Sequence, residues 1–170
     1  MNGDTPGSSV FLALGSNLGP REATLQGASR ALAAAGFEVT ASSSIYLTEP
    51  VGGPPQDWFL NQVLGGRTRL APEALLSACL AVEQAFGRLR GERDGPRTLD
   101  VDVLLFGEVV QDGPRLVLPH PRLQARRFVL VPLAEIAPQL VHPRLGISVR
   151  ELLARCADAS RVVLREPAAT

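Results

Sequence analysis

The sequence predicts an α+β fold in the order βαββαβ with a C-terminal appendage, and three observations carry that prediction. Two apolar stretches at helical spacing, 20–36 and 72–87, each follow a β-prone run. Two strand-like runs, 37–47 and 58–70, stand in succession between those helices. A last strand-like run, 98–106, closes the pattern. The 170 residues fit one domain, spanning the whole chain, with a single sizeable core.

Taken in order, residues 1–8 and 166–170 read as disordered tails. Val10–Leu14 is a short buried strand ending in Gly15-Ser16-Asn17. Pro20 is tolerated in a first helical turn; Leu25, Ala28, Leu32 and Ala35 follow at helical spacing, and Gly36 stops the helix. The next strand is rich in β-formers among Ser and Thr. Thr48–Asp57, with three prolines and two glycines, can only be a loop. Trp58–Leu70 resumes a strand, antiparallel to the one before, with a bulge expected at Gly65-Gly66. Pro72 opens the second helix, whose stripe is Leu75, Cys79, Val82 and Phe86. After the strand ending at Phe106, turn residues surround a short Val109–Val110 strand, which suggests a hairpin. Leu116–Arg127 reads as a basic loop, Phe128–Ile136 as a short helix with a proline near its start, Val149–Ala157 as a helix capped by Ser148 and Glu151, and Val162–Leu164 as a final strand. The order is that of a split βαβ, ferredoxin-like antiparallel sheet. Its helices are expected on one face, leaving the other face to the loops.

The chemistry concentrates in Arg88–Phe106. Arg88, Arg90, Arg93 and Arg97 fall within ten residues, and a strand follows. Side chains alternate along a strand, so Leu99, Val101 and Val103 share one face and Asp100 and Asp102 the other. Such a carboxylate pair can hold one or two Mg²⁺ ions, and arginine forks can hold phosphate oxygens. The plainer alternative for the aspartates is an ordinary polar strand face; the neighbouring arginine loop favours the metal reading. His120, between two prolines, and Arg115, Arg126 and Arg127 could complete a phosphate clamp or be structural and surface residues. Phe59 and Asn61 share a strand face, a combination that suits a flat heterocycle by stacking and paired hydrogen bonds. On composition alone, Phe59 and Phe128 read as core and Asn61 as turn-facing, and a strand-end turn explains Gly15-Ser16-Asn17.

Bulk properties exclude several classes. Formal net charge is zero, so no global field draws the chain to nucleic acid or an anionic membrane. All 17 basic residues are arginine, which rules out a Schiff-base or P-loop lysine. Cys79 and Cys156 lack metal-ligand spacing, and Cys79 reads as a buried thiol. With no signal peptide or membrane span visible, a cytoplasmic location is expected. An RNA-binding sheet is disfavoured by the scarcity of aromatics, and a non-catalytic sensor by the carboxylate pair beside the arginines.

Arg93–Leu104, RDGPRTLDVDVL, closely resembles the signature of the 6-hydroxymethyl-7,8-dihydropterin pyrophosphokinase family. LGSNLG at 14–19, SSIYLTEPVG followed by FLNQV, and LPHPRLQARRFVLVPLAEIAP at 118–138 agree in order and spacing. The resemblance implies a ferredoxin-like enzyme that transfers the pyrophosphoryl group of ATP to the pterin hydroxymethyl oxygen, releases AMP and uses two Mg²⁺. It implies metal ligation by Asp100 and Asp102. It places Glu83, Arg88, Arg90, Arg97, Val103, Arg115, His120 and Arg126 around ATP, with Arg88 and Arg97 also catalytic. Thr48, Val51, Phe59, Asn61 and Phe128 match the pterin pocket, with both phenylalanines sandwiching the ring. Asp94 stands where some members carry Trp, and Leu80 and Val117 replace polar residues of some relatives. A monomer is expected, with a homodimer as the alternative.

Overall fold

The computed structural model describes residues 7–88 and 94–166. Among them run β1 (Ser8–Ser16), α1 (Arg21–Ala34), β2 (Phe37–Ser42), β3 (Tyr46–Thr48), β4 (Phe59–Thr68), α2 (Pro72–Ala85) and β5 (Asp100–Phe106). Then come β6 (Gln111–Asp112), β7 (Val117–Leu118), a 3₁₀ turn (Leu123–Ala125), α3 (Arg127–Ile136), α4 (Val149–Arg155) and β8 (Val162–Leu164). The main sheet has the order β5-β1-β4-β3-β8, with β2 also on β4, and every pairing is antiparallel. This is the predicted ferredoxin-like sheet, widened by β8.

The two faces of the sheet differ. Val10, Leu12 and Leu14 of β1, Leu60 and Leu64 of β4, and Val101 and Val103 of β5 meet Leu25, Ala28 and Leu32 of α1 and Leu75, Cys79 and Val82 of α2. That is the main core, and its alternation follows the strand period of two. The opposite face was expected to carry loops only. Instead Val63, Leu104 and Leu105 form a second cluster there with Val129, Leu130 and Leu133 of α3 and Val149 and Leu152 of α4. A bulge opposite Phe11 and Leu12 gives β5 an extra residue, so Leu104 and Leu105 both reach this layer. The appendage therefore seals half of the second face, and the remaining half stays open as a cleft.

Other expectations need correction. Ser8 is not tail but the first residue of β1, paired with Thr68. The run 37–47 is two strands, because Ser43 leaves the strand path. Its N–H donates to the Val63 carbonyl, and its Oγ accepts from the Val63 N–H at 2.9 Å. A serine side chain here replaces one rung of the ladder. The bulge near Gly65-Gly66 lies on the partner strand, at Thr40. Gly66 is needed for close approach: a Cβ there would sit 2.7 Å from the Phe37 ring. The hairpin strand begins at Gln111, since a turn at Gly107 consumes Glu108 and Val109. Pro132 lies inside α3, not near its start, and α4 stops at Arg155. The Ser148 cap is as expected, with Oγ accepting from the Glu151 N–H at 3.2 Å.

Candidate active site

Strand register builds the site. Gly15 of β1 pairs with Asn61 of β4 on one side and with Asp100 of β5 on the other. Neighbouring strands lie about 4.8 Å apart, so the aspartate and the amide stand roughly 10 Å apart on one sheet face. Gly15 leaves the space between them empty; a Cβ there would come within 2.6 Å of Asn61 Oδ1. The resulting cleft has a volume of about 510 Å³.

One end of the cleft is aromatic and amide-bearing. Thr48, Val51, Phe59, Asn61 and Phe128 all line it. Asn61 is buried, and its Nδ2 donates to Thr48 Oγ1 at 2.7 Å. The other end is charged, lined by Arg97, Asp100, Asp102, His120 and Arg126. The Arg97 guanidinium lies between the two ends, 5.1 Å from the Phe59 ring centroid, with Nε 3.6 Å from Asp100 Oδ2. That Nε is buried and makes no hydrogen bond, which leaves it suited to an anionic oxygen. Arg126 lies over Phe128, with 5.5 Å from Cζ to the ring centroid.

Arg88 and Glu83 stand behind the carboxylates. The buried Glu83 accepts through Oε2 from the Val101 N–H at 2.9 Å and from Arg88 Nη1 at 2.8 Å. The same Nη1 donates to Asp100 Oδ1. Glu83 thus orients Arg88 and does not itself line the cleft. Burial raises the Glu83 carboxyl, while the Val101 N–H and Arg88 oppose the shift.

Asp102 lies at the floor, partly open to the cleft but surrounded by protein. Burial first, then the Asp100 charge, push it up to about 7 against the pull of Arg126. A desolvated carboxylate pair with that cost is suited to a bound cation. Among the described residues no group of three His, Cys, Asp or Glu side chains converges into a metal cage. The partial donor set matches Mg²⁺, which takes one or two carboxylates and completes its shell with phosphate oxygens and water.

His120 loses basicity, to about 4, through burial and then through Arg126 and Arg122. Its Nδ1 accepts from the Arg122 N–H at 3.1 Å. A neutral ring accepting at Nδ1 carries its proton on Nε2, a donor for an anionic ligand.

Besides Glu83 and Arg88, which stand behind the lining, three residues tied to the nucleotide by resemblance lie apart from the cleft or outside the described residues. The Val103 side chain is in the main core, where the strand alternation puts it opposite the aspartates. Arg115 is exposed near α2 and donates to Ser77 Oγ at 3.4 Å, not into the cleft. Arg90 lies outside the described residues.

The sequence reading missed several cleft residues. Asn17, passed over as a strand-end turn, is buried and fastens two loops. Its Oδ1 accepts from the Arg97 N–H at 2.9 Å; its Nδ2 donates to Gln56 Oε1 at 2.8 Å and the Asp57 carbonyl at 2.9 Å. Gln56 Nε2 in turn donates to the Asp94 carbonyl at 2.7 Å, joining the 48–57 loop to the end of the arginine loop. Asp94 has φ of 55°, and it lines the cleft with Glu49, Gln56, Arg122 and Ala125. A polar residue between the Pro54-Pro55 pair and the next strand was the available signal for Gln56, and the LGSNLG stretch at 14–19 was the signal for Asn17, with no role attached to it.

A model of the 7,8-dihydro-6-hydroxymethylpterin-pyrophosphokinase (HPPK) family matches residues 11–138. A 2-amino-4-hydroxy-6-hydroxymethyldihydropteridine pyrophosphokinase from Methylorubrum extorquens is 50% identical over 147 residues, 86% of this chain and 92% of that protein. The Synechocystis protein of the same name is 48% identical over 145 residues, 85% of this chain and 74% of that protein. Among solved structures, wild-type Plasmodium falciparum HPPK-DHPS with pteroate superposes with a TM-score of 0.69, covering 87% of this chain and 42% of that one. At 13% identity that likeness speaks to the fold alone, and this chain spans under half of that longer polypeptide.

Proposed function

The chain belongs to the 7,8-dihydro-6-hydroxymethylpterin-pyrophosphokinase family, and on that premise we propose that its cleft joins the pyrophosphoryl group of ATP to the hydroxymethyl oxygen of 6-hydroxymethyl-7,8-dihydropterin. The observation that carries the reading is the row Asp100–Gly15–Asn61, which sets a carboxylate pair and a heterocycle-reading amide on one face.

Phe59 and Phe128 stack on the pterin, and Asn61 reads its edge. Thr48 Oγ1 orients the Asn61 amide. The hydroxymethyl oxygen attacks the β-phosphorus; the bond from that phosphorus to the α–β bridging oxygen breaks, AMP leaves, and the hydroxyl proton is released. Transfer of this kind needs chiefly positioning and charge neutralisation. Asp100 and Asp102 would hold two Mg²⁺ ions, which when bound neutralise phosphate oxygens. Arg97, between the pterin end and the carboxylates, stabilises charge on the transferring group, and Arg88, held by Glu83, supports the Asp100 side of the site. His120 and Arg126 bind phosphate oxygens, the former through Nε2–H. Exclusion of water falls to the 48–57 loop and residue 94, joined through Gln56.

The lining residues run from Gly15 to Phe128 and come from one sheet and the loops around it, which supports reading the chain as a single domain. No described helix is long and apolar enough to cross a membrane. The direct test is AMP formation from ATP and Mg²⁺ with and without 6-hydroxymethyl-7,8-dihydropterin. Pterin-dependent AMP supports the reading; AMP formed equally without pterin, or none with it, sinks it.

A further inference from the structure

Arg161 lies beyond residue 138, in the C-terminal segment that adds β8 to the sheet. It stands one residue past the Thr48–Val162 rung, so the β3–β8 ladder delivers it opposite Glu49. There the Glu49 N–H donates to the Arg161 carbonyl at 3.1 Å. The Arg161 N–H returns a bond to Glu49 Oε2 at 2.9 Å, and its Nε donates to Glu49 Oε1 at 2.7 Å. The same guanidinium stacks on Trp58, 4.9 Å from the ring centroid.

Glu49 begins the proline-glycine loop and Trp58 ends it, so one side chain closes the loop at its base. The strand residues that flank them, Thr48 and Phe59, pair with each other and are both in the cleft lining. A second contact from the segment reaches the opposite wall. Asp158 Oδ2 accepts from the Arg127 N–H at 3.0 Å, at the first residue of α3 and next to Phe128. The 158–161 strap thus ties the two aromatic walls to one short length of chain.

From this geometry we infer that Arg161 is a positioning residue for the pterin end of the cleft, setting the spacing of the loop's two ends and through them of Thr48 and Phe59. The inference rests on the pterin reading above. An exposed ion pair adds little to stability, so the expected effect is on loop geometry and not on the fold.

The test compares wild type, Arg161→Ala and Arg161→Lys in steady-state kinetics and hydrogen exchange without ligand. Arg161→Ala should raise the pterin KM by about tenfold while the ATP KM and kcat stay within about twofold, the pattern of lost ground-state binding. Arg161→Lys, which keeps the charge over Trp58, should recover part of that loss. Exchange over 49–58 should quicken in Arg161→Ala, with no change in the helices. An unchanged pterin KM, or a parallel fall in all parameters with the melting temperature, would overturn the inference. A wild type that forms no AMP counts against the pterin reading instead, and the exchange comparison then decides by itself whether Arg161 holds the loop.

Discussion

Replacing Asp102 by asparagine separates what this carboxylate does for the fold from what it does for the reaction. In the folded chain its carboxyl rises from 3.8 to about 7, chiefly through burial and then through Asp100. Between those values the folded state holds a proton that the unfolded state has released. Stability from this group is therefore fully present below about pH 4 and is lost as pH rises through about 7. Three units at about 1.36 kcal/mol each give an upper bound of about 4 kcal/mol; opening to the cleft lowers the expected effect to about 2–4 kcal/mol. Asparagine keeps the shape and cannot ionise. In metal-free buffer at pH 8, Asp102→Asn should be the more stable protein, by roughly 5–10 °C in melting temperature. At pH 4 the difference should vanish. Mg²⁺ with a non-hydrolysable ATP analogue should raise the melting temperature of wild type and leave the variant unmoved, and the variant should lack turnover. Thermal melts across pH 4–8, with and without the magnesium nucleotide, read all of this. A variant less stable than wild type at pH 8, or a gap independent of pH, would refute the claim that Asp102 is an electrostatic cost relieved by a cation.

The other predictions are simpler. Asp100→Ala should cut turnover on the order of 10²-fold or more with the fold retained, as circular dichroism and single-turnover assays would report; Arg88 keeps Glu83 as a partner. Arg97→Ala should lower kcat by about 10²–10³-fold and raise either KM much less, and the reverse split in steady-state data would assign it to ground-state binding. Gly15→Ala sets a methyl group 2.6 Å from Asn61 Oδ1, so the pterin KM should rise by about tenfold while the ATP KM holds. Because the His120 pKa is lowered to about 4, its ring should stay neutral above about pH 5.5, and its contribution to stability should fall as pH drops from about 6.5 to 4. An NMR titration midpoint near 6.5 would contradict that.

The sequence by itself determined what depends on neighbours along the chain. The alternation Leu99-Asp100-Val101-Asp102-Val103 placed two carboxylates on one face, because side-chain direction in a strand is a two-residue property. Pro72 and Gly87 bounded α2, and Ser148 with Glu151 began α4, since helix ends are fixed by local backbone groups. The resemblance located the residues of both ends of the cleft. Only the tertiary structure decided the rest. The split at Ser43 depends on Val63, and the closing of the second sheet face depends on α3 and α4 meeting β4 and β5. The hub at Asn17 serves partners at 56, 57 and 97, and Arg161 meets a carboxylate 112 residues earlier. Val103 and Arg115 moved the other way, since strand facing and a side chain's reach exclude them from the cleft lining. Register is what joins these distant positions, and register is set by the packing of whole faces, which no short stretch of sequence contains.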